Sequence, residues 1–532
     1  MKDHNLSHSR RNFIKGVALS TAAIAGPSTA LAMSIKPPPT SQRSVKALVI
    51  GSGFGGAVCG LRLAEAGIKT LMLERGQWWE PEADKNIFSA NLPADHRSSW
   101  FKKLASPPIK IETPILKYAG VLDYTDFGGL RTYQGAAVGG GSIIYGGVTV
   151  RSPGYVLESI FAGEVNVTEF ESVYYPKAEA MIGATEIPDE ILSTPHYRYA
   201  RLFNEHADAA GYVTKKASCA YDFDIIQQEI DGTIKESALK GETIYGNNNG
   251  CKKTLVQSYI QPALDTGNLA VAALTEVERI RENSEGQYEV YTRTINPWGI
   301  VLSYQVITCE HLFMGAGTVG TNKLLLKAKA MGDLPNLNEY VGTQVGNNGG
   351  VTWARTVQES TGSKQAAPLN TTLDDFNNPY GPLSIECAYF PTGIDTHSLV
   401  HLGVFFNQQR PGPGTFSYSN SFKGMQLDWP SDANDKSIQA HKHTVNRLNE
   451  VNGGFAGVPL LITEPSGNRT AHPLGGMPLG LATDAYGRVK GYSNLYVMDG
   501  TLIPGSCLAN PSLTIAALAE RNIEKILQDD IV

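Results

Sequence analysis

Apolar positions along this chain change period repeatedly, and each change marks an element. Residues 47–50 form an unbroken apolar run rich in β-branched side chains, the pattern of a strand buried on both faces. Residues 57–66 then carry Ala and Leu in the manner of a helix, and 70–73 return to a short apolar strand ending on Glu74. Residues 269–280 and 288–293 alternate as half-buried strands do. Residues 309–320 predict another short apolar strand and a Gly-Ala-Gly turn, followed by a helix over 321–330. The stretch 347–452 reads as strand-like runs and turns, with 383–390 and 399–406 suited to a second sheet. Near the end, 494–500 predict a strand ending on Asp499 and continued by 501–506. A helix over 512–527 follows, with Pro511 at its start.

Between the first strand and its helix stand Gly51, Gly53 and Gly56 in G-x-G-x-x-G spacing, with Phe54 and Gly55 inside the motif. The first glycine makes a tight turn, the second lets backbone approach a pyrophosphate, and the third lets the helix pack close to the strand. The helix N-terminus offers unpaired N–H groups to phosphate. Glu74, at the end of the second strand, suits a ribose hydroxyl. Strand, turn, helix and acid together predict dinucleotide binding.

Composition adds boundaries. The chain has 532 residues, 42% of them apolar, and a net charge of −6. It exceeds one ordinary domain, has no long charge run, and carries no pattern for nucleic acid. The first 44 residues read as a leader and linker: Ser9 to Lys15 is a twin-arginine pattern, Ala30-Leu31-Ala32 a cleavage site, and Pro37 to Pro39 a stiff spacer. That predicts export, to the periplasm or beyond. Six scattered cysteines have no metal-ligand spacing, and their pairing stays open. No metal is expected.

Three loops carry further signal. Residues 78–114 are irregular and rich in aromatics beside lysines, as in a lid over a pocket or a membrane-touching patch. Gly139, Gly140, Gly141 and Ser142 crowd a turn that brings backbone close to a flat or anionic ligand. His472 sits on a constrained His-Pro-Leu-Gly-Gly turn. Glu386 lies in an apolar neighbourhood that would raise its pKa, although its alternation reads first as a surface-facing strand position.

The order of these motifs (the opening fingerprint, GGGS, LFMGAG, HPLGG, NLYVMDGTLIPGS and NPSLTIAALAERN) resembles the glucose–methanol–choline family of flavoproteins. Within it, strings such as RSSWFK at 97–102 and IYGNN at 244–248 resemble the bacterial class I cholesterol oxidases, from about Lys46 to the C-terminus. The resemblance implies an α/β architecture. A Rossmann-like FAD-binding domain would comprise 45–160, 270–345 and 460–532. A substrate domain on a mixed or antiparallel sheet with helices would comprise 161–269 and 346–459, and a lid would span about 77–120. It implies non-covalent FAD, since no histidine occurs between His96 and His196. It implies flavin contacts at Gly51, Gly53, Phe54, Gly55, Gly56, Glu74, Gly139, Gly140, Gly141, Ser142, Val277, Asp499, Gly500, Asn510 and Pro511. It makes His472 and Asn510 the pair facing the substrate hydroxyl, and Glu386 the base that moves a proton from C4 to C6. The implied partners are a sterol, dioxygen and a transient membrane surface, for a monomeric enzyme.

Some positions depart from the resemblance. Tyr145 replaces an asparagine, Ser384 and Ser512 replace phenylalanines, and Val148 replaces a methionine. Two rivals therefore stand beside the sterol oxidase: an alcohol dehydrogenase of the same fold with a quinone or protein acceptor, and a non-catalytic sterol-binding flavoprotein.

Overall fold

A computed structural model of the chain describes residues 40–82, 85–105, 112–362, 364–390, 400–407, 411–421, 424–458 and 465–532. The twin-arginine pattern, the cleavage site, the Pro37 to Pro39 spacer, part of the lid and Leu399 lie outside the described residues.

The apolar run at 47–50 is the inner end of a longer strand, β1 (Thr40–Ile50), and α1 (Phe54–Glu65) and β2 (Thr70–Leu73) follow. β2 pairs in parallel with β1, and Leu48, Val49, Met72 and Leu73 are buried, as a two-sided apolar strand demands. The alternating stretch 269–280 is not one strand. It divides into β3 (Leu269–Ala272) and β4 (Thr275–Glu282). The break falls at Leu274, whose φ is 52° and whose N–H donates to the Gly76 carbonyl at 2.9 Å. The two halves then serve opposite ends of the same sheet. β5 (Tyr288–Ile295), β6 (Val301–Met314) and α2 (Gly317–Met331) complete the unit. The strand order is β3-β2-β1-β6-β5-β4, with Leu495–Val497 also pairing β6. β3, β2, β1, β6 and Leu495–Val497 are parallel, and β5 and β4 add an antiparallel extension.

A second, six-stranded sheet is antiparallel throughout. At its centre lie β7 (Gly350–Thr356), β8 (Thr371–Asp375), β9 (Leu383–Ala388) and β10 (Val400–Asn407), in the order β7-β10-β9-β8. The short strands Phe455–Ala456 and Thr214–Lys216 form its edges. The reading of 347–452 as strands and turns misses α3 (Asp435–Asn452). Its buried face mixes Ala440, Val445 and Leu448 with Ser437, His441 and Thr444, so polar side chains dilute the helical period.

The C-terminal segment closes the first sheet with β11 (Leu495–Val497) and ends in α4 (Pro511–Ile526). Residues 501–506 do not prolong that strand: Gly500–Leu502 is a single 3₁₀ turn. All six cysteines are free and buried, and Cys59 is a core residue on α1.

Candidate active site

The glycine turn is held from three sides. Gly51 has φ 94°, and a Cβ there would meet the Gly315 carbonyl oxygen at 2.3 Å; one at Gly55 would meet the Met498 oxygen at 1.8 Å. One at Gly56 would strike the Gly51 oxygen at 2.0 Å, whereas a Cβ on Gly53 meets no protein atom within 4 Å. Three glycines thus allow close protein packing, and Gly53 alone opens onto empty space. Both features fit a phosphate resting on the start of α1, where no side chain caps the free N–H groups. Gly56 packs behind the turn, and Gly51, Gly53, Phe54 and Gly55 line a cavity of about 1400 Å³.

Ser52, which the sequence does not single out, ties this turn to the rest. Its backbone N–H and hydroxyl donate to Glu74 Oε2 at 3.1 and 2.7 Å, and its Oγ accepts the Gly139 N–H at 3.0 Å. Glu74 Oε1 accepts the Gly76 N–H at 2.9 Å. The carboxylate is therefore fixed at the cavity wall and retains acceptor capacity for a ribose hydroxyl. In the second glycine loop, Gly140 and Gly141 face the cavity. Gly139 and Ser142 stand behind them: the Ser142 hydroxyl donates to the Gly139 carbonyl at 2.7 Å and accepts the Leu255 N–H at 3.0 Å. The buried Lys252, also missed by sequence, clamps this loop from below. Its Nζ donates to the carbonyls of Ile143 at 2.7 Å, Thr243 at 2.9 Å and Tyr145 at 3.1 Å. Burial lowers its pKa to about 7.

Val277, Asp499, Gly500, Asn510 and Pro511 also line the cavity. Asp499 is buried and fully engaged. Its oxygens accept from Gly317 N–H at 2.9 Å, Thr321 Oγ1 at 2.6 Å, and both the N–H and Oγ1 of Thr501 at 3.1 and 2.6 Å. Burial raises its pKa, and these donors oppose the rise. Asp499 thereby binds the start of α2 to the turn before α4.

The same cavity continues to Glu386, His472 and Asn510. The surface-facing reading of Glu386 is overturned. It is only 3% exposed, because β9 has β8 and β10 on its two sides and Glu386 and Ala388 turn toward the cavity. The Asn510 amide, at the N-terminal cap of α4, donates to Glu386 Oε1. Burial pushes the Glu386 pKa up to about 8, with the Asn510 bond acting against it. The backbone N–H of His472 donates to Thr470 Oγ1 at 2.8 Å, and its ring packs against Phe406 with centroids 5.4 Å apart. Among the described residues its ring makes no hydrogen bond. Burial lowers its pKa to about 4, which keeps the imidazole neutral and able to accept a proton at neutral pH. The HPLGG turn holds it in place: a Cβ on Gly475 would meet the Gln344 carbonyl oxygen at 2.0 Å.

Much of the expected lid is packed wall. Trp79, Phe88 and Trp100 are buried, and Asn248 in the YGNNNG turn accepts the Phe88 N–H at 2.9 Å. Trp100, Phe101, Lys102 and Lys117 line the cavity. Among the described residues, no helix is long and apolar enough to cross a membrane.

Residues 348–460 match a family model described as GMC oxidoreductase, C-terminal. The chain is 25% identical to a cholesterol oxidase of Acinetobacter baumannii, covering 90% of this chain and 94% of that protein. It is 26% identical to one of Mycobacterium tuberculosis, covering 89% of each. Among solved structures it resembles pyridoxine 4-oxidase from Mesorbium loti, with a TM-score of 0.64, 12% identity, and 91% of this chain and 99% of that one covered. It also resembles a formate oxidase, with a TM-score of 0.63, 13% identity, and 92% and 99% covered. The resemblance to GMC flavoenzymes that the motifs carry is thus met by fold and by sequence.

Proposed function

We propose that this chain, a GMC oxidoreductase, is a 3β-hydroxysterol oxidase that also isomerises its product. One observation carries the reading. A neutral histidine and an Asn510–Glu386 pair line the same cavity that begins at the glycine turn. FAD, held without a covalent bond, supplies the hydride acceptor for the C3 hydrogen. His472 takes the hydroxyl proton as the C3–O bond becomes a carbonyl. Asn510 fixes the Glu386 carboxyl, and so the place where the sterol A/B rings meet a base. Ionised Glu386 removes a proton from C4 of the 5-ene-3-ketone and returns it to C6, leaving the conjugated 4-ene-3-ketone. Dioxygen takes up the two electrons and two protons and leaves as hydrogen peroxide. The near full-length likeness to cholesterol oxidases supports the sterol and the acceptor.

Product analysis tests this reading. Cholesterol should give the conjugated 4-ene-3-ketone and one peroxide per turnover. Oxidation without peroxide would favour an alcohol dehydrogenase with another acceptor, a second reading supported by Tyr145 and Val148 at the cavity wall. Sterol binding with no oxidation would leave a non-catalytic flavoprotein.

The protein would work after export, on the strength of the twin-arginine pattern. Its membrane-touching surface would be the tip of the β5–β6 hairpin. There Trp298, Ile300 and Leu302 are more than half exposed, beside the equally exposed Leu116. Trp298 packs on Tyr118 with ring centroids 4.8 Å apart, and Lys102 and Lys117 line the same cavity mouth as Trp298. Apolar side chains beside lysines suit an anionic lipid surface.

A further inference from the structure

We propose that Lys323 is a phosphate ligand for the AMP half of the flavin cofactor. The inference rests on the flavoprotein reading above. Gly317, Thr318, Gly320, Lys323 and Lys327 of α2 line the cavity. Gly317, Gly320, Lys323 and Lys327 are spaced by three or four residues and share one helix face, so the cavity runs down the side of that helix. Glu74, Arg75, Thr275, Glu276 and Val277 also line this part of the cavity, the part that the motifs give to adenosine.

Several cations line this half, and nearly all are committed to protein partners. Arg75 donates to Asp123 at 2.7 Å, and Lys102 reaches the same carboxylate at 2.6 Å. Arg293 donates to Glu276 at 2.6 Å, and Lys327 donates to the Glu278 carbonyl at 2.7 Å. Lys117 has no such partner among the described residues, but it stands on the exposed 112–117 rim. Lys323, exposed on α2 near Arg75 and Glu276, lies beside the residues given to adenosine and makes no hydrogen bond or ion pair among the described residues. It lines the cavity, and surrounding protein and the nearby Arg75 lower the pKa of its ammonium against the opposing pull of Glu276 and Asp123.

The acids that act on it, Glu276 and Asp123, are bonded to Arg293 and to Arg75 and Lys102, so Lys323 has no carboxylate of its own. The glycine turn offers N–H dipoles but no formal charge, and the acids nearest the turn, Glu74 and Asp499, are already bonded. A dinucleotide brings two phosphate charges into this space. Lys323, on the AMP side of the turn, supplies the missing cation for the phosphate there. The phosphate of the FMN half would be met by the free N–H groups at the start of α1 and would not need Lys323.

Flavin titration of the cofactor-stripped full chain, read by fluorescence quenching, separates these cases. Lys323→Gln should bind FAD about 10- to 100-fold more weakly, the usual worth of a hydrogen bond to a charged group. Its FMN affinity should stay within about twofold of the unaltered chain, and Lys323→Arg should recover most of the FAD affinity. Unchanged FAD affinity would overturn the assignment, and so would equal losses for FAD and FMN, which mark a packing defect. If the unaltered chain binds neither flavin, the flavoprotein reading itself fails and the assignment fails with it. The melting temperature of the stripped Lys323→Gln chain should match that of the unaltered chain, since the side chain has no protein partner to lose.

Discussion

At the residue scale the chemistry depends on what burial does to two titratable groups. His472 stays neutral down to about pH 4 and Glu386 stays protonated up to about pH 8. Their environments hold both in their uncharged forms over a wide range. His472→Ala should slow anaerobic flavin reduction by about 10²- to 10⁴-fold, the worth of a positioned acid–base group. A wild-type reduction rate would remove that role. Glu386→Gln should keep flavin reduction within a few-fold and abolish formation of the conjugated enone, while unaltered enone build-up would contradict the base. Because the base form of Glu386 is the carboxylate, the isomerisation rate should rise with pH and level off above about 8. Oxidation should stay flat above about pH 5, as His472 is already neutral there. Glu386 also bears on stability. Its folded pKa lies above the unfolded value near 4.3, so the retained proton stabilises fully below that value. This contribution is lost as pH rises through about 8. The Glu386→Gln melting temperature should therefore gain on the wild type between pH 5 and 8. His472, Asn510 and Glu386 were all visible in the sequence as motif positions. Ser52 and Lys252 were not, because a serine inside a glycine turn and a lysine among loops acquire meaning only from the carboxylate and carbonyls they meet.

At the scale of elements, α1 and α4 work as a pair. Both begin at the cavity, and they are fastened together farther along by Arg62 and Glu520. The guanidinium donates to both Glu520 oxygens at 2.7 Å, and Tyr259 and Lys177 add contacts at 3.1 Å. Glu520 is completely buried. Arg62→Ala should therefore destabilise by about 3 kcal/mol, because it strips a buried carboxylate of its main partner. Thermal melting checks this, and a change below about 0.5 kcal/mol, the range of a surface substitution, would show the pair to be incidental. The apolar strands and the two cavity-facing helices were legible because burial on both faces leaves uninterrupted runs. The turn at Leu274 was hidden inside a convincing alternation, and α3 was hidden because it buries His441 and Thr444 beside Leu448. Tertiary packing overrides local pattern in both.

At the scale of the whole molecule, the parallel sheet and the antiparallel sheet supply opposite ends of one cavity. The separation of the two sheets follows the order of the motifs, whereas the course of the cavity along α2 does not, since it depends on how β4 and the 85–105 segment fold back. The exposed hairpin tip belongs to this scale too. Ile300→Ser together with Leu302→Ser should weaken cosedimentation with anionic, cholesterol-containing vesicles by at least about tenfold, given ~1.5–3 kcal/mol per buried apolar side chain. Turnover of detergent-dispersed sterol should be unchanged. Equal vesicle binding by the variant would contradict the patch.

The most direct test of the central claim is to add cholesterol to the FAD-loaded protein without oxygen, follow the visible flavin band, and then admit air. A sterol oxidase requires bleaching on addition of the sterol and prompt return of colour with release of hydrogen peroxide. A flavin band that cholesterol leaves unchanged would contradict the account.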